Sequence, residues 1–384
     1  MQLALTEDQT LLARTAHGFI AEHAPITRLR KLRDTRDERG YSLELLAKFA
    51  ELGWTAIPFS EADGGLAMGL TELVLVTEAA GRTLTPEPLI PSVVLAGRAL
   101  ALAGSAEQKS TWLAPIIAGE KVLTLAYTKP KGRYDLTAVP FTATRAGSGY
   151  KLSGEASLVW AGHLADAYIV AARTSGQASS SQNQREGISL FVVPAGAHGL
   201  GSVRQSRVDS LNSSVITLRD VEVSQSDLLG REGEGHAVLS RVVDEATVAL
   251  CGEMLGGMSA AFEMTREYLR ERKQFGVAIG SFQALKHRAA KLYVELELAR
   301  SATMAAARAL DAESADAVLL VSIAKARLSD AYTLIANEAV QMHGGIGMTD
   351  EHDIGFYLKR ARASELTFGD GAYHRDRFAT LSGF

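Results

Sequence analysis

Apolar residues recur with helical spacing over residues 1–121, and Leu43–Gly53 shows the pattern well. Gly53 ends this segment, and glycine readily adopts the left-handed conformation found just after helices. The same spacing recurs in LTELVLVTEAAGR and AEQKSTWLAPIIAGE, so 1–121 is predicted to be a helical N-terminal domain. The apolar side chains of the first example fall mostly on one side of a helix: Leu43, Leu45, Leu46, Phe49 and Leu52.

The pattern changes at Lys121 to short runs of β-branched and aromatic residues. Glycine, serine, aspartate and asparagine separate these runs, which is typical of strands joined by turns. We therefore predict an antiparallel β domain over 122–229. The polar insert Thr174–Gly187 is predicted to be a mobile loop between two strands. The runs are KVLTLAYT, FTATRAG, GYKLSGEASLVW, DAYIVAART, GISLFVVP and SVITLRDVEV.

Helical spacing returns after the glycine-rich segment GREGEGH. We predict a C-terminal four-helix bundle over 230–384, and a GDG turn followed by a last short helix. No strand is followed by GxGxxG and a helix, so a Rossmann site is unsupported. The four helices are predicted at Ala237–Glu271, 281–310, 314–342 and 350–363.

Composition narrows the function classes. Among 384 residues, 40 are Lys or Arg and 44 are Asp or Glu, giving a net charge of −4. Nucleic-acid binding is therefore not expected, because it usually requires a basic excess. The single cysteine, Cys251, excludes an internal disulfide and fits a cytoplasmic protein. The first residues lack a basic region before an apolar run, and no apolar stretch approaches a membrane span, so we expect neither secretion nor membrane insertion.

Two motifs in the last domain carry chemical information. RERKQFGVAIGSFQALKHR ends one helix at Gly276 and opens the next after Gly280, with Ser281 as the expected N-cap. QMHGGIGMTDE places three glycines between two helices, with Thr349 or Asp350 as the expected N-cap.

These motifs suit an anionic ligand. Glycines allow close approach of a ligand, helix N-termini favour phosphate, and Arg272 suits a pyrophosphate. Either motif alone is equally well explained as punctuation between helices. Their occurrence together, in this order, is much more specific. No metal site is predicted.

With these motifs in place, the chain resembles the acyl-CoA dehydrogenase family along essentially its whole length. The family's RxxFG element, the glutamine after it and the QxxGG element are all matched. The final glycine–aspartate turn with a nearby histidine is similar to small subunits of two-component enzymes of the pimeloyl-CoA dehydrogenase type. The matching residues are Arg272, Gln274, Phe275, Gln283, Gln341, Gly344 and Gly345.

The resemblance implies FAD bound at a subunit interface. The two elements would hold its pyrophosphate and adenosine, while its flavin ring lies on the β domain of the neighbouring subunit. The implied reaction is α,β-desaturation of an acyl-CoA. A carboxylate removes the α proton, hydride goes to the flavin, and electrons pass to an electron-transfer flavoprotein. A homo- or hetero-tetramer with a paralogous subunit is implied.

The β domain departs from the family pattern. TKPKGRYD stands where the family has TEPxxGSD, so Thr128 is kept for the flavin but Lys129 replaces the acid. The family's flavin-facing tryptophan and threonine or serine are matched by Leu158 and Trp160. Trp160 is interpreted either as a ring that stacks on the flavin or as a core residue of the β domain.

The usual catalytic base is also missing. The family's YEGT aligns with TFGD, which places Phe368 at the base position, and phenylalanine cannot accept a proton. Asp370 is predicted to cap the following helix. His374 is predicted to be a structural histidine at the surface or an interface.

Some relatives carry the base on the first bundle helix, where Ala246 matches the position and Glu245 precedes it. Glu245 shares a helix face with small residues that could accommodate an acyl chain, and in an apolar slot its pKa would rise. The family's arginine just after the base is replaced by Thr247. Glu245 is therefore predicted either to be the base or to be a glutamate paired with an arginine at a helix crossing. The small residues are Ala249, Gly252 and Gly256.

Three functions remain open from the sequence. The first is an acyl-CoA dehydrogenase or one subunit of such an enzyme, which is the best supported. The second is a flavin-dependent monooxygenase or oxidase on the same fold. The third is a non-catalytic subunit that completes the FAD site of a partner.

Overall fold

The computed structural model describes residues 4–175 and 185–384. The chain begins with helices, as predicted, and π-helical turns over Leu89–Gly97 and Lys109–Leu113 interrupt the later ones. The N-terminal helices are α1 (Glu7–His23), α2 (Ile26–Asp34), α3 (Leu43–Glu51), α4 (Leu70–Arg82), α5 (Arg98–Ala103), α6 (Ala106–Gln108) and α7 (Ala114–Ile117).

Helix α3 shows how the sequence pattern forms a helix. The Ser42 hydroxyl accepts a hydrogen bond from the Leu45 amide and caps its first turn. Gly53 follows the helix with a φ of +76°, the left-handed conformation that the sequence predicted. Of the five apolar residues, three are buried, whereas Leu43 and Leu52 at the two ends are 43% and 40% exposed.

A mixed sheet of eight strands forms the middle of the chain in the order β6-β7-β3-β2-β4-β5-β8, with β1 paired to β4. The predicted antiparallel arrangement holds except at β1–β4 and β2–β4, which are parallel. The strand β4 joins β2 on the side opposite β3, and two reversals of direction make β4 run parallel to β2. The strands are β1 (Leu123–Ala126), β2 (Phe141–Ala146), β3 (Gly149–Trp160), β4 (Ala167–Arg173), β5 (Ile188–Pro194), β6 (Leu200–Ser206), β7 (Asn212–Val223) and β8 (Leu228–Leu229).

The sheet encloses its own apolar core. In both β4 and β5, every residue except the last one of the strand is buried, so both faces of these central strands are covered. In the core, the rings of Tyr150 and Phe191 meet edge to face with centroids 5.0 Å apart. Most of the predicted mobile loop, Thr174–Gly187, lies outside the described residues.

Long helices occupy the last third of the chain, and their bounds agree closely with the prediction. A short hairpin of two-residue strands separates the first two. The helices are α8 (Gly235–Glu271), α9 (Gln283–Asp311), α10 (Ala317–His343), α11 (Ile354–Leu366) and α12 (Gly371–Leu381), and the hairpin strands are β9 (Lys273–Gln274) and β10 (Val277–Ala278).

The predicted helix caps are less accurate. Ser281 lies in a short 3₁₀ turn, and Phe282 is the residue before α9. Thr349 and Asp350 precede α11 by several residues, and Asp353 is its N-terminal flanking residue without a side-chain cap. These predictions were wrong because a turn intervenes between each glycine segment and the next helix.

By its internal contacts the chain divides into two compact units, each assembled from separate segments. One comprises Met1–Thr35, Gly69–Thr85 and Thr247–Phe384, and the other comprises Arg36–Met68 and Pro86–Ala246. The first unit is helical apart from the β9–β10 hairpin, and the second contains the large sheet. The division into domains at 1–121, 122–229 and 230–384 stays a prediction.

Within the helical unit, α4 and α8 cross at very short range. A Cβ on Gly252 would lie 2.3 Å from the Thr77 hydroxyl, and a Cβ on Gly256 would lie 1.9 Å from the Glu78 carbonyl oxygen. At these two glycines, the small residues that were predicted to accommodate an acyl chain are therefore covered by α4.

Replacing Gly256 with alanine should destabilise the fold. The added methyl group meets backbone, which cannot rotate away, so we expect the free energy of unfolding to fall by about 1–3 kcal/mol. Gly18→Ala is the matched control, because nothing lies within 4 Å of its Cβ on exposed α1. Alanine should stabilise that helix by up to about 1 kcal/mol. Equal denaturant midpoints for the two variants would contradict the close crossing.

Candidate cofactor site

Arg272 leads from α8 into the β9–β10 hairpin. The Arg272 amide donates to the Tyr268 carbonyl, and the Arg272 carbonyl accepts from the Ile279 amide at 2.8 Å. The tip of the hairpin, Phe275 and Gly276, has φ values of +53° and +80°, the pair of left-handed residues expected of a type I′ turn. Phe275 is consequently held outward and is 93% exposed.

The exposed side chain of Arg272 is available for an anion. Among the described residues, its guanidinium makes no hydrogen bond or ion pair. Gln274 is also exposed, and among the described residues its amide nitrogen donates only to the neighbouring Lys273 carbonyl, at 2.8 Å. An unpaired guanidinium beside a rigid hairpin fits the predicted pyrophosphate contact.

The glycine turn after α10 is open. Gly344 has φ +64° and ψ −141°, a conformation that essentially requires glycine. No heavy atom lies within 4 Å of a Cβ built on Gly344 or Gly345, so a ligand can approach the backbone here. Gln341 is exposed in the last turn of α10, beside this opening.

Gln283 is the first residue of α9 and is exposed. Among the described residues no side chain caps this end of the 29-residue helix, so the amides of Gln283 and Ala284 remain available to an acceptor. The positive end of the helix dipole favours a negatively charged group at the same place. These features suit the ADP end of FAD.

Sequence reasoning missed the contact that joins the two elements. The Tyr268 and His343 rings stack with centroids 4.6 Å apart. Tyr268 lies one helical turn before Arg272, and His343 immediately precedes Gly344. An aromatic residue one turn before RxxFG, together with the histidine inside QMHGG, was the available signal.

The segment of the sheet unit that is predicted to face the flavin contains one retained and one substituted residue. Thr128 lies in the loop after β1, and its carbonyl accepts the Ser157 amide at 3.0 Å, which fixes the loop against β3. The Asp135 carboxylate is engaged by the amide and hydroxyl of Thr137. Lys129 is exposed. Thr128 is thus positioned by the sheet, whereas the substituted Lys129 side chain points to solvent.

A bulge in β3 lies at and beside the two positions that match the family's tryptophan and threonine or serine, Leu158 and Trp160. The register shifts between Ala156 and Val159, and Leu158 takes a φ of +55° with 58% of its surface exposed. Trp160 is half-buried, and the Arg207 guanidinium lies 5.7 Å from its ring centroid. Trp160 therefore lies at the margin of the core, with Arg207 over its ring.

The GDG turn between α11 and α12 contains no free base. Asp370 caps α12 by accepting the Tyr373 amide at 2.8 Å, as predicted. Phe368 has φ +61°, and its carbonyl bonds the His374 ring at 3.0 Å. His374 is 1% exposed, so the prediction of a surface position is wrong. Burial lowers its pKa to about 3, which keeps the imidazole neutral.

A buried lysine on α10 also hydrogen-bonds to the backbone of this turn. Lys325 on α10 is fully buried and donates to the carbonyls of Glu365 and Gly369 and to the Ser329 hydroxyl. Burial lowers its pKa to about 8. Because these acceptors are a hydroxyl and two backbone carbonyls, the contacts of Lys325 hold the turn in place but bring no carboxylate to it.

Glu245, the predicted alternative base, is held by two arginines of its own unit. Its carboxylate accepts from Arg98 at 2.8 and 3.1 Å and from Arg241 at 2.7 Å. Its side chain is 5% exposed. Charged guanidinium groups, rather than an apolar slot, surround its carboxylate. This geometry supports the interpretation as a paired glutamate, and its role as base stays a prediction.

Glu245→Gln separates these interpretations. Removing the negative charge eliminates the ion pairs of Glu245 with both guanidinium groups, so we expect a loss of about 3 kcal/mol of stability. Glu271→Gln, at the exposed end of α8, is the control and should change stability by less than about 0.5 kcal/mol. If Glu245→Gln retains full thermal stability and flavin yet loses substrate-induced bleaching, Glu245 is the base.

Comparison with known proteins gives a consistent family. Residues 6–120 match the model for the acyl-CoA dehydrogenase N-terminal domain, and 233–381 match the model for the C-terminal domain. Acyl-CoA dehydrogenase FadE27 of Mycobacterium tuberculosis is 30% identical over 86% of each chain. The ChsE4-ChsE5 complex of the same organism has a TM-score of 0.89, with 28% identity over all of both chains. PigA with FAD and proline has a TM-score of 0.91, with 25% identity over 100% of this chain and 99% of that one.

Helices, a sheet and a second set of long helices, with an open glycine turn near an available arginine, define a flavoprotein dehydrogenase fold. The chain belongs to the acyl-CoA dehydrogenase family of flavoprotein oxidoreductases. The predicted family, fold class and FAD cofactor are confirmed. In the described part of the chain, no helix is both long and apolar enough to cross a membrane.

Proposed function

We propose that this chain is a subunit of a FAD-dependent acyl-CoA dehydrogenase that desaturates the α,β bond of an acyl-CoA thioester. When bound, FAD supplies the two-electron acceptor, and an electron-transfer flavoprotein is the proposed recipient of its electrons. The observation that carries the proposal is the open Gly344–Gly345 turn on the same helical unit as the unpaired Arg272 guanidinium. This arrangement supports binding of the ADP end of the cofactor.

The proposed roles of the chain are unequal. Arg272 binds the pyrophosphate, Gln274, Phe275 and Gln283 orient the neighbouring part of the dinucleotide, and the QxxGG turn contacts it through the backbone. Thr128 remains as a hydrogen-bonding group for a flavin ring. The Phe368 side chain has no group that can accept a proton, and Lys325 and His374 fix its turn by hydrogen bonds. This turn therefore supplies no base.

This imbalance supports a heteromeric enzyme. In the proposed assembly, this chain contributes an ADP-binding half to a paralogous subunit that provides a sound flavin half and the catalytic carboxylate. The relative ChsE4-ChsE5, whose name describes a complex of two proteins, supports a paired arrangement. Acyl-CoA is the proposed substrate, in keeping with the names of several relatives.

A second candidate function follows from PigA, a relative described with FAD and proline. PigA shows that this fold also occurs with FAD and a ligand other than an acyl-CoA, so a flavin-dependent oxidase or monooxygenase on the same fold is kept as the alternative. The third candidate, a subunit without flavin, is supported only by the altered β-domain positions.

The visible spectrum of the purified protein, alone and with a paralogous subunit, is the first test. A flavin band that bleaches with an acyl-CoA under anaerobic conditions, together with ferrocenium-coupled turnover, supports the dehydrogenase. Rapid oxygen consumption with no response to acyl-CoA supports the oxidase. A flavin that is absent from the chain alone and appears only with the paralogous subunit, whose turnover this chain leaves unchanged, supports the third function.

A further inference from the structure

His343 is enclosed by two aromatic rings. On one side the Tyr268 ring stacks on it, with an interplanar angle of 30°. On the other side the His352 ring lies 4.4 Å away, tilted by 55°. The three rings come from α8, from the end of α10 and from the segment before α11. This ring stack, Tyr268–His343–His352, therefore joins three separate parts of the helical unit.

The ring stack connects the two segments proposed to bind the ADP end. The Tyr268 carbonyl accepts the Arg272 amide at 2.9 Å, so the stack is one hydrogen bond from the start of the hairpin. His343 is adjacent to Gly344, whose φ and ψ angles define the open turn. The His343 ring therefore packs on the residue that anchors the Arg272 amide and belongs to the residue that precedes the turn, so it couples the two segments.

The surroundings of His343 require a neutral ring. It is 2% exposed, and its Nδ1 donates to the Ala339 carbonyl at 2.7 Å, which assigns the proton to Nδ1. Its buried Nε2 has no hydrogen-bond partner within the described residues. Burial lowers the pKa of His343; the hydrogen bond to the Ala339 carbonyl opposes this less strongly, and His352 adds a smaller lowering.

The other groups around the stack are few. Tyr268 is uncharged at neutral pH and faces His343 from α8. His352 lies beside Asp353, which favours its charged form, and Arg30, which opposes it; burial lowers its pKa overall. No carboxylate hydrogen-bonds the His343 ring among the described residues, so a proton on Nε2 would be an uncompensated buried charge.

We propose that His343 is a positioning residue, whose neutral ring holds the glycine turn in register with Arg272 and so sets the affinity for the ADP end of FAD. The inference rests on the proposed function, since it assumes that these two segments bind the dinucleotide. It predicts that acid protonation opens the stack and releases the cofactor before the protein unfolds.

The first test removes the stacking partner. Tyr268→Leu should raise the dissociation constant for FAD about fivefold to tenfold at pH 7.5, the size of effect expected for an aromatic pair. Tyr268→Phe keeps the ring and should restore wild-type affinity. In the cofactor-free assembly, hydrogen exchange should accelerate in both 272–279 and 341–347 for Tyr268→Leu, and in neither for Tyr268→Phe.

The second test is the pH profile of FAD affinity, measured by quenching of protein fluorescence between pH 5.5 and 8. Wild-type affinity should be constant above the ordinary histidine pKa of 6.5 and should fall below it. His343→Gln can keep the bond to Ala339 but cannot titrate at this position. Its affinity should be lower at pH 7.5 and nearly independent of pH. The sign follows from linkage, because a lowered folded-state pKa makes protonation favour the opened form.

Two outcomes would overturn the inference. One is equal FAD affinity and equal hydrogen exchange for Tyr268→Leu and Tyr268→Phe. The other is an unchanged acid profile in His343→Gln. Failure of the assumed dinucleotide site is distinguishable, because the wild-type assembly would then bind neither FAD nor ADP at any pH, whereas a loss of dehydrogenase activity alone leaves both affinities measurable.

Discussion

Purified alone, the chain is expected to form an oligomer that holds FAD weakly and has little dehydrogenase activity. Co-expression with a paralogous acyl-CoA dehydrogenase subunit is expected to give a complex with about one FAD per heterodimer. In that complex, turnover per FAD should rise by about 10²-fold or more, because a positioned general base typically contributes at least this much.

The physical reason is the contrast between the two halves of the proposed site. Arg272 and the Gly344–Gly345 turn are accessible for the ADP end. Leu158 and Phe368 stand where the resemblance places a flavin-facing tryptophan and a base. In a homo-oligomer, each FAD site would combine the intact ADP-binding elements of one copy with the altered flavin and base positions of another. In a hetero-oligomer, the intact ADP-binding elements of this chain can combine with intact flavin and base positions of the partner.

The measurement is co-purification followed by flavin-to-protein stoichiometry and ferrocenium-coupled turnover on a panel of acyl-CoAs. A matched control is the same co-expression with the paralogue's base replaced by glutamine, which should retain FAD and lose turnover. Full FAD occupancy with ordinary turnover by this chain alone would refute the heteromeric proposal. The chain would then be a self-sufficient enzyme with an unusual base.

Helix positions were accessible from the sequence because a helix repeats its apolar pattern over many residues. The prediction Ala237–Glu271 differs from α8 by two residues at its start. The cofactor elements were also visible, since glycine and arginine have specific local requirements. Gly344 in particular has backbone angles that other residues rarely adopt.

Contacts between distant segments could not be predicted in the same way. His374 was predicted to be a structural histidine at the surface or an interface, yet it is buried against the Phe368 carbonyl of its own chain, a contact that a single histidine in the sequence does not indicate. The partners of Glu245 are 147 and four residues away, and only the nearer one lies on the same helix. The stack of Tyr268 on His343 likewise depends on how α8 and α10 meet.

The second large effect is expected at the proposed pyrophosphate contact. Arg272→Ala should weaken FAD binding by at least about tenfold, because each charge-assisted hydrogen bond to a phosphate contributes roughly 1.5–3 kcal/mol. Stability should change little, since the described residues show no ion pair of the Arg272 side chain to lose. Its alkyl stem is exposed, so no cavity is created.

Arg270→Ala is the matched control for charge and helix position. Arg270 is also exposed at the end of α8, but its guanidinium pairs with Glu267 at 3.0 Å along the helix surface. Its removal lowers the local positive charge equally, yet should change FAD affinity less than about twofold because surface ion pairs contribute little.

Affinity measured by fluorescence titration at two salt concentrations separates a direct phosphate contact from a general attraction of charge. A direct phosphate contact gives a large difference between the two variants at both concentrations, whereas a general attraction of charge gives equal losses that salt removes. Equal FAD retention by Arg272→Ala and the wild-type assembly would mean that the pyrophosphate lies elsewhere.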